Sequence, residues 1–390
     1  MVGGTRSYEM AKRMVEGGHE VHMVSSWRLD SKKSGWTQEN IDGINVHWLS
    51  VRYNNKMGSL KRIVAFLKFA ILAGPRARSI GGDLVFASST PLTIALPAIY
   101  AAKRLKIPMV FEVRDLWPEL PIAIGAIRNR LIIRLTRWLE RYAYQNSSRI
   151  IALSPGMADG ICKSGYPRKY VKVIPNSCDN TLFYPSDALA QQFRLDHPEL
   201  GHRKIVLYAG TFGRINGVGF LPELAARLKN KHPDVCFVSI GSGAEFESVR
   251  LKADRLGVLQ KNYFQYEAMP KTDLVKAFQA ATISMSLFID LPEMRHNSAN
   301  KFFDTLASGT AVAINYGGWQ KDIIKQHKVG ISLSPTANIA AKQLSKLLQN
   351  SHEIHEMSIA ARYLAENSFD RDVLAQSLIL VLRETRIDQN

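Results

Sequence analysis

Short apolar strands alternate with helical segments along the whole chain, and the series runs twice. The first half carries "HEVHMVSS", "INVHWLS", "DLVFASS", "PMVFEVRD", "SRIIALS" and "VKVIPN", with helices between them, for example Arg6 to Glu16 and Ala126 to Tyr144. This rhythm predicts βαβ units and a mostly parallel sheet. A looser polar segment, Ser177 to His202, reads as a linker. The rhythm then restarts with "KIVLYAG", a helix over Leu221 to Lys229, "VCFVSIGSG", a helix near Phe246, "TISMSLFI", a short helix and "AVAIN". With 390 residues there is chain enough for two cores. The expected fold class is α/β, two doubly wound Rossmann-like domains facing across a cleft. The expected boundaries are 1–176, a linker at 177–202, a second domain at 203–367, and a last helix at 368–390 packing back on the first domain.

The opening, "MVGGTRSYEMAKRMVEGGHEV", goes directly into a glycine loop and helix. A doubly wound domain normally has its first, central strand before that loop. Either the start is misplaced or the sheet lacks a core strand. A gap in a sheet is costly, which favours a misplaced start.

The longest apolar stretch, "LTIALPAIYAA", is too short to span a bilayer and contains Pro97. No secretory signal is visible, and Cys162, Cys178 and Cys236 show no metal spacing, which suits a cytoplasmic protein. The formal charge of +17 is lopsided. Residues 1–180 hold 27 basic and 13 acidic side chains, against 24 and 21 in the remainder, and Val51 to Lys106 hold ten basic residues and one acid. Such a field draws anionic partners. No recognisable nucleic-acid-binding module accompanies it, so nucleic acid is not an expected partner.

Three elements at strand-to-helix junctions are competent to hold phosphate: the loop at Gly3 and Gly4, "AGTFGRINGVG" with Arg214, and the "GSG" of Gly241 to Gly243. Singly, each is as well explained by the steric need for glycine in a tight βα turn. A fourth is "HNSANKFFDTLASG". Asn297 or Ser298 can cap its helix and Gly309 can end it. Phe302, Phe303, Leu306 and Ala307 fall on one face, and Lys301, Asp304, Thr305 and Ser308 on the other.

Together with "EVRDLWPE" and "VIPNSCDNTLFYP", these stretches run in an order that resembles retaining glycosyltransferases of family 4 with the GT-B fold, in particular the bacterial O-antigen and capsule enzymes similar to L-fucosaminyltransferases. The resemblance implies a UDP-sugar donor, with N-acetyl-L-fucosamine as a candidate sugar. Asp304 occupies the second acid of the family's Glu-x7-Glu motif, which binds the ribose hydroxyls. The loop amides through Ser298 and Asn300, with Arg214 and Lys301, would meet the diphosphate. Gly3 and Gly4 would lie on the donor side, and Gly241 and Gly243 would leave room for the nucleotide. The first acid is replaced by His296, with Glu293 three residues earlier as an alternative. The family's usual lysine before glycine is replaced by Asn216. Asp115, in a charged loop with Glu112, Arg114 and Glu119, matches a contact to sugar or acceptor. The implied chemistry is front-face transfer without a metal or other cofactor.

Two helical segments carry basic and apolar stripes: Lys61, Arg62 and Lys68 beside Ile63, Val64, Leu67 and Ile71, and Arg130, Arg134, Arg137 and Arg141 beside Leu131, Leu135 and Trp138. Both suit a helix lying on anionic lipid. An ordinary domain helix with its apolar stripe in the core gives the same pattern. The membrane reading implies a lipid-linked saccharide acceptor and a place on the inner face of the plasma membrane. A UDP-sugar 2-epimerase of the same fold, and an inactive transferase homologue, are the competing readings.

Overall fold

The computed structural model describes residues 6–27, 35–51, 57–89, 91–115 and 117–388. The chain divides into a C-terminal unit, Asn176–Arg371, and an N-terminal unit, Gly4–Pro175 with Asp372–Asn390.

The C-terminal unit holds one six-stranded sheet, all parallel, from β8 (Lys204–Ala209), β9 (Val235–Ile240), β10 (Tyr263–Tyr266), β11 (Ile283–Ser286), β12 (Ala311–Ile314) and β13 (Gly330–Ser332); the order is β10-β9-β8-β11-β12-β13. β9, β11 and β12 are buried at every position, as expected of strands covered on both faces. The segment read as a loose linker is part of this unit. Ser186 accepts a hydrogen bond from the Leu189 amide and starts a helix over Asp187–Asp196, which packs on the helix Lys271–Ala280. Only Phe193 of that helix is fully buried, so its sequence looks polar throughout.

Among the described residues, the N-terminal unit contains two separate sheets. One has β1 (His22–Trp27), β2 (Trp36–Ile41) and β3 (Ile44–Ser50) in the order β1-β3-β2; the other has β4 (Val85–Ser88), β5 (Met109–Val113), β6 (Arg149–Ala152) and β7 (Val171–Val173), in that order and all parallel. β1 runs parallel to β3, while β2 and β3 form an antiparallel hairpin. Its turn, Asp42–Gly43, takes positive φ at both residues, the Asp-Gly turn signal that the polar strand "WTQENI" obscured.

The helix α1 (Arg6–Glu16) serves both sheets. Its Met10 joins the cluster of Val110, Ile151 and Ile174, while Ala11 joins that of Ile44, Val46 and Trp48. The last helix, Arg371–Ile387, buries Ala375, Leu378 and Val381 in the Met10 cluster. Among the described residues, no helix is long and apolar enough to cross a membrane.

Candidate active site

The carboxyl ends of β9, β8 and β11, neighbours in the C-terminal sheet, carry the predicted donor residues; ligands of parallel α/β sheets bind at that end. The loop after β8 is strapped to the loop after β9. The Gly210 amide donates to Ile240 O and the Phe212 amide to Ser242 O, both at 2.9 Å. A Cβ on Gly241 would run into the Gly210 carbonyl oxygen, and one on Gly243 into that of Phe212. Loop-to-loop packing therefore accounts for these two glycines, and the space beside them is filled by backbone.

The loop before the helix Asn300–Ala307 is held without side-chain capping. Asn297 Oδ1 accepts from the Ala299 amide at 3.1 Å, and the buried Ser298 hydroxyl accepts from the Asn176 amide at 3.1 Å. Ala299 is the N-cap, so neither Asn297 nor Ser298 fills that role. Among the described residues, the amides of Asn300 and Lys301 have no acceptor, and they begin the positive end of the helix dipole.

Lys301 is half-buried and turned onto aromatic surface. Its ammonium lies 4.8 Å from the Tyr208 ring centroid and 5.2 Å from that of Phe288. With the Asn216 amide oriented so that its NH2 donates to Thr211 O at 3.1 Å, Asn216 Oδ1 accepts from Lys301 Nζ at 3.2 Å. No carboxylate pairs with Lys301 among the described residues, and burial lowers its pKa to about 8. The cation missing from position 216 is thus brought beside that position from the helix. Arg214, in the Arg214–Asn216 turn, is exposed.

Asp304 lies one turn beyond. Burial raises its carboxyl to about 6; Lys271 and Arg371 pull it down, and Asp179 adds to the rise. The two cations are engaged elsewhere, since Asp179 pairs with Arg371 at 2.7 Å and with Lys271 at 3.2 Å. Asp304 has no ion-pair partner of its own among the described residues. Thr305 and Ser308, read as members of its polar face, are buried, with Thr305 bonded to Ser284 and Ser308 to the Asp304 carbonyl. His296 and Glu293 share the turn Pro292–His296; one Glu293 carboxylate oxygen is buried without a hydrogen-bond partner. Gly3 and Gly4 lie outside the described residues.

In the N-terminal unit, Glu112, Asp115 and Glu119 of "EVRDLWPE" have different surroundings. Glu112, the last but one residue of β5, is buried against Arg6 at 2.8 Å and accepts from the Ser88 hydroxyl at 2.7 Å. Arg6 also donates to Ile174 O at 2.9 Å and to Pro175 O. Asp115 is half-buried in the loop after β5. Glu119 starts α4 (Glu119–Ala123) and faces Glu140, which burial and that neighbour raise to about 7.

The two basic helices are α2 (Ser59–Ile80) and α5 (Arg130–Gln145), with α3 (Ala95–Leu105) packed between them. Their apolar stripes are not in the core. Ile71 is 69 % exposed and Leu131 72 %, and Ile63, Val64, Leu67, Leu135 and Trp138 are exposed as well. The core face of α5 is a different one, Leu139, Ala143 and Tyr144. Lys61 and Lys68 are exposed and Arg62 half-exposed on α2; Arg130, Arg134 and Arg137 lie exposed on α5.

Sequence reasoning missed Arg6 and Glu112 as a buried pair, Asp179 with Lys271 and Arg371, and Tyr208 as the seat of Lys301. All these contacts join residues far apart in the chain. The one local signal was an acid, Glu112, inside an otherwise apolar strand.

Two α/β units, one with a fully parallel sheet whose strand ends carry a free cation and an uncapped helix start, define the GT-B class of glycosyltransferase. Residues 3–177 match the family described as glycosyl transferase 4-like domain, and residues 191–364 match glycosyl transferases group 1. The chain belongs to the family 4 glycosyltransferases. It is 23% identical over 286 residues to WcaI of Escherichia coli, assigned to colanic acid biosynthesis as a glycosyl transferase, covering 68% of this chain and 69% of that protein. WaaG, a glycosyltransferase involved in lipopolysaccharide biosynthesis, superposes with a TM-score of 0.73 at 15% identity, over 97% of this chain and 95% of WaaG. HepE from Anabaena, solved with UDP, gives 0.68 at 16% identity, over 88% and 87% of the two chains.

Proposed function

We propose that the protein transfers a sugar from a UDP-sugar to a lipid-linked glycan at the inner face of the plasma membrane, with retained configuration, in the synthesis of an O-antigen, capsule or exopolysaccharide. The observation that carries the donor reading is the Lys301 ammonium, half-buried and without a counter-ion among the described residues, beside the uncapped start of the Asn300–Ala307 helix. A cation and free amides converging on one spot at strand carboxyl ends suit a diphosphate. HepE was solved with UDP, which supports uridine as the nucleoside, and the colanic acid and lipopolysaccharide enzymes among the relatives support a surface glycan as product. N-acetyl-L-fucosamine remains the proposed sugar, on the resemblance of the motifs.

Asp304 takes the ribose hydroxyls. Glu293, with its unpartnered oxygen, is better suited than His296 to the place of the first acid. In the proposed step the bond from the anomeric carbon to the diphosphate oxygen breaks as the acceptor oxygen bonds to the same face, and the acceptor proton passes to the departing diphosphate. Asp115 orients the acceptor hydroxyl. Charge on the leaving group is met by the helix amides, Arg214 and Lys301, with no metal.

The exposed stripes of α2 and α5, flanked by their lysines and arginines, support attachment to an anionic bilayer. They also count against the 2-epimerase reading, whose soluble substrate gives such stripes no purpose. Calorimetric titration with UDP, GDP, ADP and NAD tests the donor assignment. Preference for UDP is expected; equal affinity for all four, or binding of none by folded protein, removes it. Turnover with a UDP-sugar then separates the transferase from an inactive homologue.

A further inference from the structure

A cavity of about 290 Å³ opens where α3 ends, beside the amino ends of β5 and β6. Ile99 and Ile107 give it an apolar wall, Asn146 and Ser148 a polar edge, and Lys103 and Lys106 two ammonium groups; no acidic residue lines it. Both lysines are exposed, and neither has an acidic partner among the described residues. The cavity lies at the opposite end of the sheet from the strand carboxyl ends, where ligands of α/β sheets bind, so neither donor nor acceptor accounts for it.

It is continuous with the exposed stripe of α5. Lys103 Nζ lies 5.5 Å from the Tyr142 ring centroid, and Tyr142 stacks on Trp138 with centroids 5.2 Å apart. Trp138 is in turn one of the exposed apolar residues of α5. The path from Lys103 through Tyr142 to Trp138, Leu135 and Leu131 is cationic at one end and apolar along its length. That is the chemistry of a lipid, an anion at one end and a hydrocarbon chain at the other.

We infer that this cavity holds the phosphate headgroup of an anionic membrane lipid, with Lys103 and Lys106 on the phosphate and the hydrocarbon running along the α5 stripe. The inference rests on the membrane reading above. It adds to that reading a discrete site for one lipid molecule, beyond a diffuse attraction of basic helices to a charged surface.

The test uses dihexanoyl-phosphatidylglycerol below its micelle concentration, so that no bilayer is present, with binding followed by native mass spectrometry. The wild-type chain should hold one molecule. Lys103→Gln/Lys106→Gln should weaken binding about tenfold or more, the loss of charge-assisted contacts. Lys61→Gln/Lys68→Gln removes the same charge from α2 and should leave it unchanged. Equal loss in both double variants, or no binding of the monomeric lipid by wild type, overturns the site. Inorganic phosphate binding as tightly as the lipid also overturns it, in favour of a soluble anion. Wild-type protein that binds vesicles of equal parts phosphatidylcholine and phosphatidylglycerol, yet not the monomeric lipid, leaves the membrane reading standing without the cavity. Protein that ignores those vesicles removes both.

Discussion

Lys301 Nζ sits 3.3 Å from the Tyr208 hydroxyl and over the Tyr208 ring, a cation held by an aromatic side chain and an amide, with no acid among the described residues to neutralise it. The free protein bears that cost in a shifted titration, because burial lowers the ammonium to about 8. A diphosphate bound there, as proposed, would supply the missing charge.

Lys301→Met should therefore weaken UDP binding by about 2 kcal/mol, near thirtyfold in Kd, without loss of thermal stability. In the wild type, UDP affinity should fall as pH rises past about 8, with proton uptake on binding in that range. Calorimetry in two buffers of different ionisation enthalpy measures the uptake. The stability of the free protein moves the other way. The unfolded lysine, at 10.5, binds more protons than the folded one between about 8 and 10.5, so this group's contribution to stability rises with pH there.

Asp304 is a second such conflict. Its folded carboxyl titrates near 6, above the ordinary 3.8, so the folded state binds more protons between those values and this group's contribution falls as pH rises through them. Asp304→Asn should stabilise the protein by about 1 kcal/mol at neutral pH and by nothing below pH 3.8, while weakening UDP about tenfold. Melting curves at two pH values, with UDP titrations, check both halves. A variant that gains stability and keeps its affinity would remove the ribose role.

Arg6 anchors the start of α1. Arg6→Ala should cost about 3–5 kcal/mol by stranding Glu112 in the interior, read from urea unfolding. Glu112→Gln in the same background should restore part of the loss, because the carbonyls of Ile174 and Pro175 still lack their donor. Burial pushes the Glu112 carboxyl up, but Arg6, the Ser88 hydroxyl and Arg114 outweigh it and hold it below the ordinary 4.5. The pair's contribution is complete above that pH and is lost as pH falls through the depressed value.

Leu135→Ala/Trp138→Ala should change stability by no more than about 0.5 kcal/mol, since both side chains are largely in solvent. Co-sedimentation with phosphatidylglycerol vesicles should nevertheless drop about tenfold, as the apolar area that enters the bilayer is lost. Unchanged sedimentation would assign the α5 stripe to another partner.

The βα rhythm alone determined the parallel sheets, their restart after residue 202, and the junctions where Arg214, Gly241 and Lys301 sit. Strand and helix periods are local properties of the chain, and glycines mark strand-to-helix turns wherever they occur. The helix Asn300–Ala307 was also legible, because its apolar residues recur on one face. The polar helix Asp187–Asp196 and the hairpin strand Trp36–Ile41 were not, since each buries too little to show an apolar period. Periodicity placed Leu131, Leu135 and Trp138 on one side of α5 but could not say what that side meets. The core took the face of Leu139, Ala143 and Tyr144 instead, so the stripe was left outside. Spacing likewise put Lys301 and Asp304 on one helix face. That Tyr208, 93 residues away, would receive the ammonium while Asp179 drew off the cations near Asp304 was decided by tertiary structure. The charge state of a buried group depends on neighbours brought together by folding, and those neighbours have no signature in the local sequence.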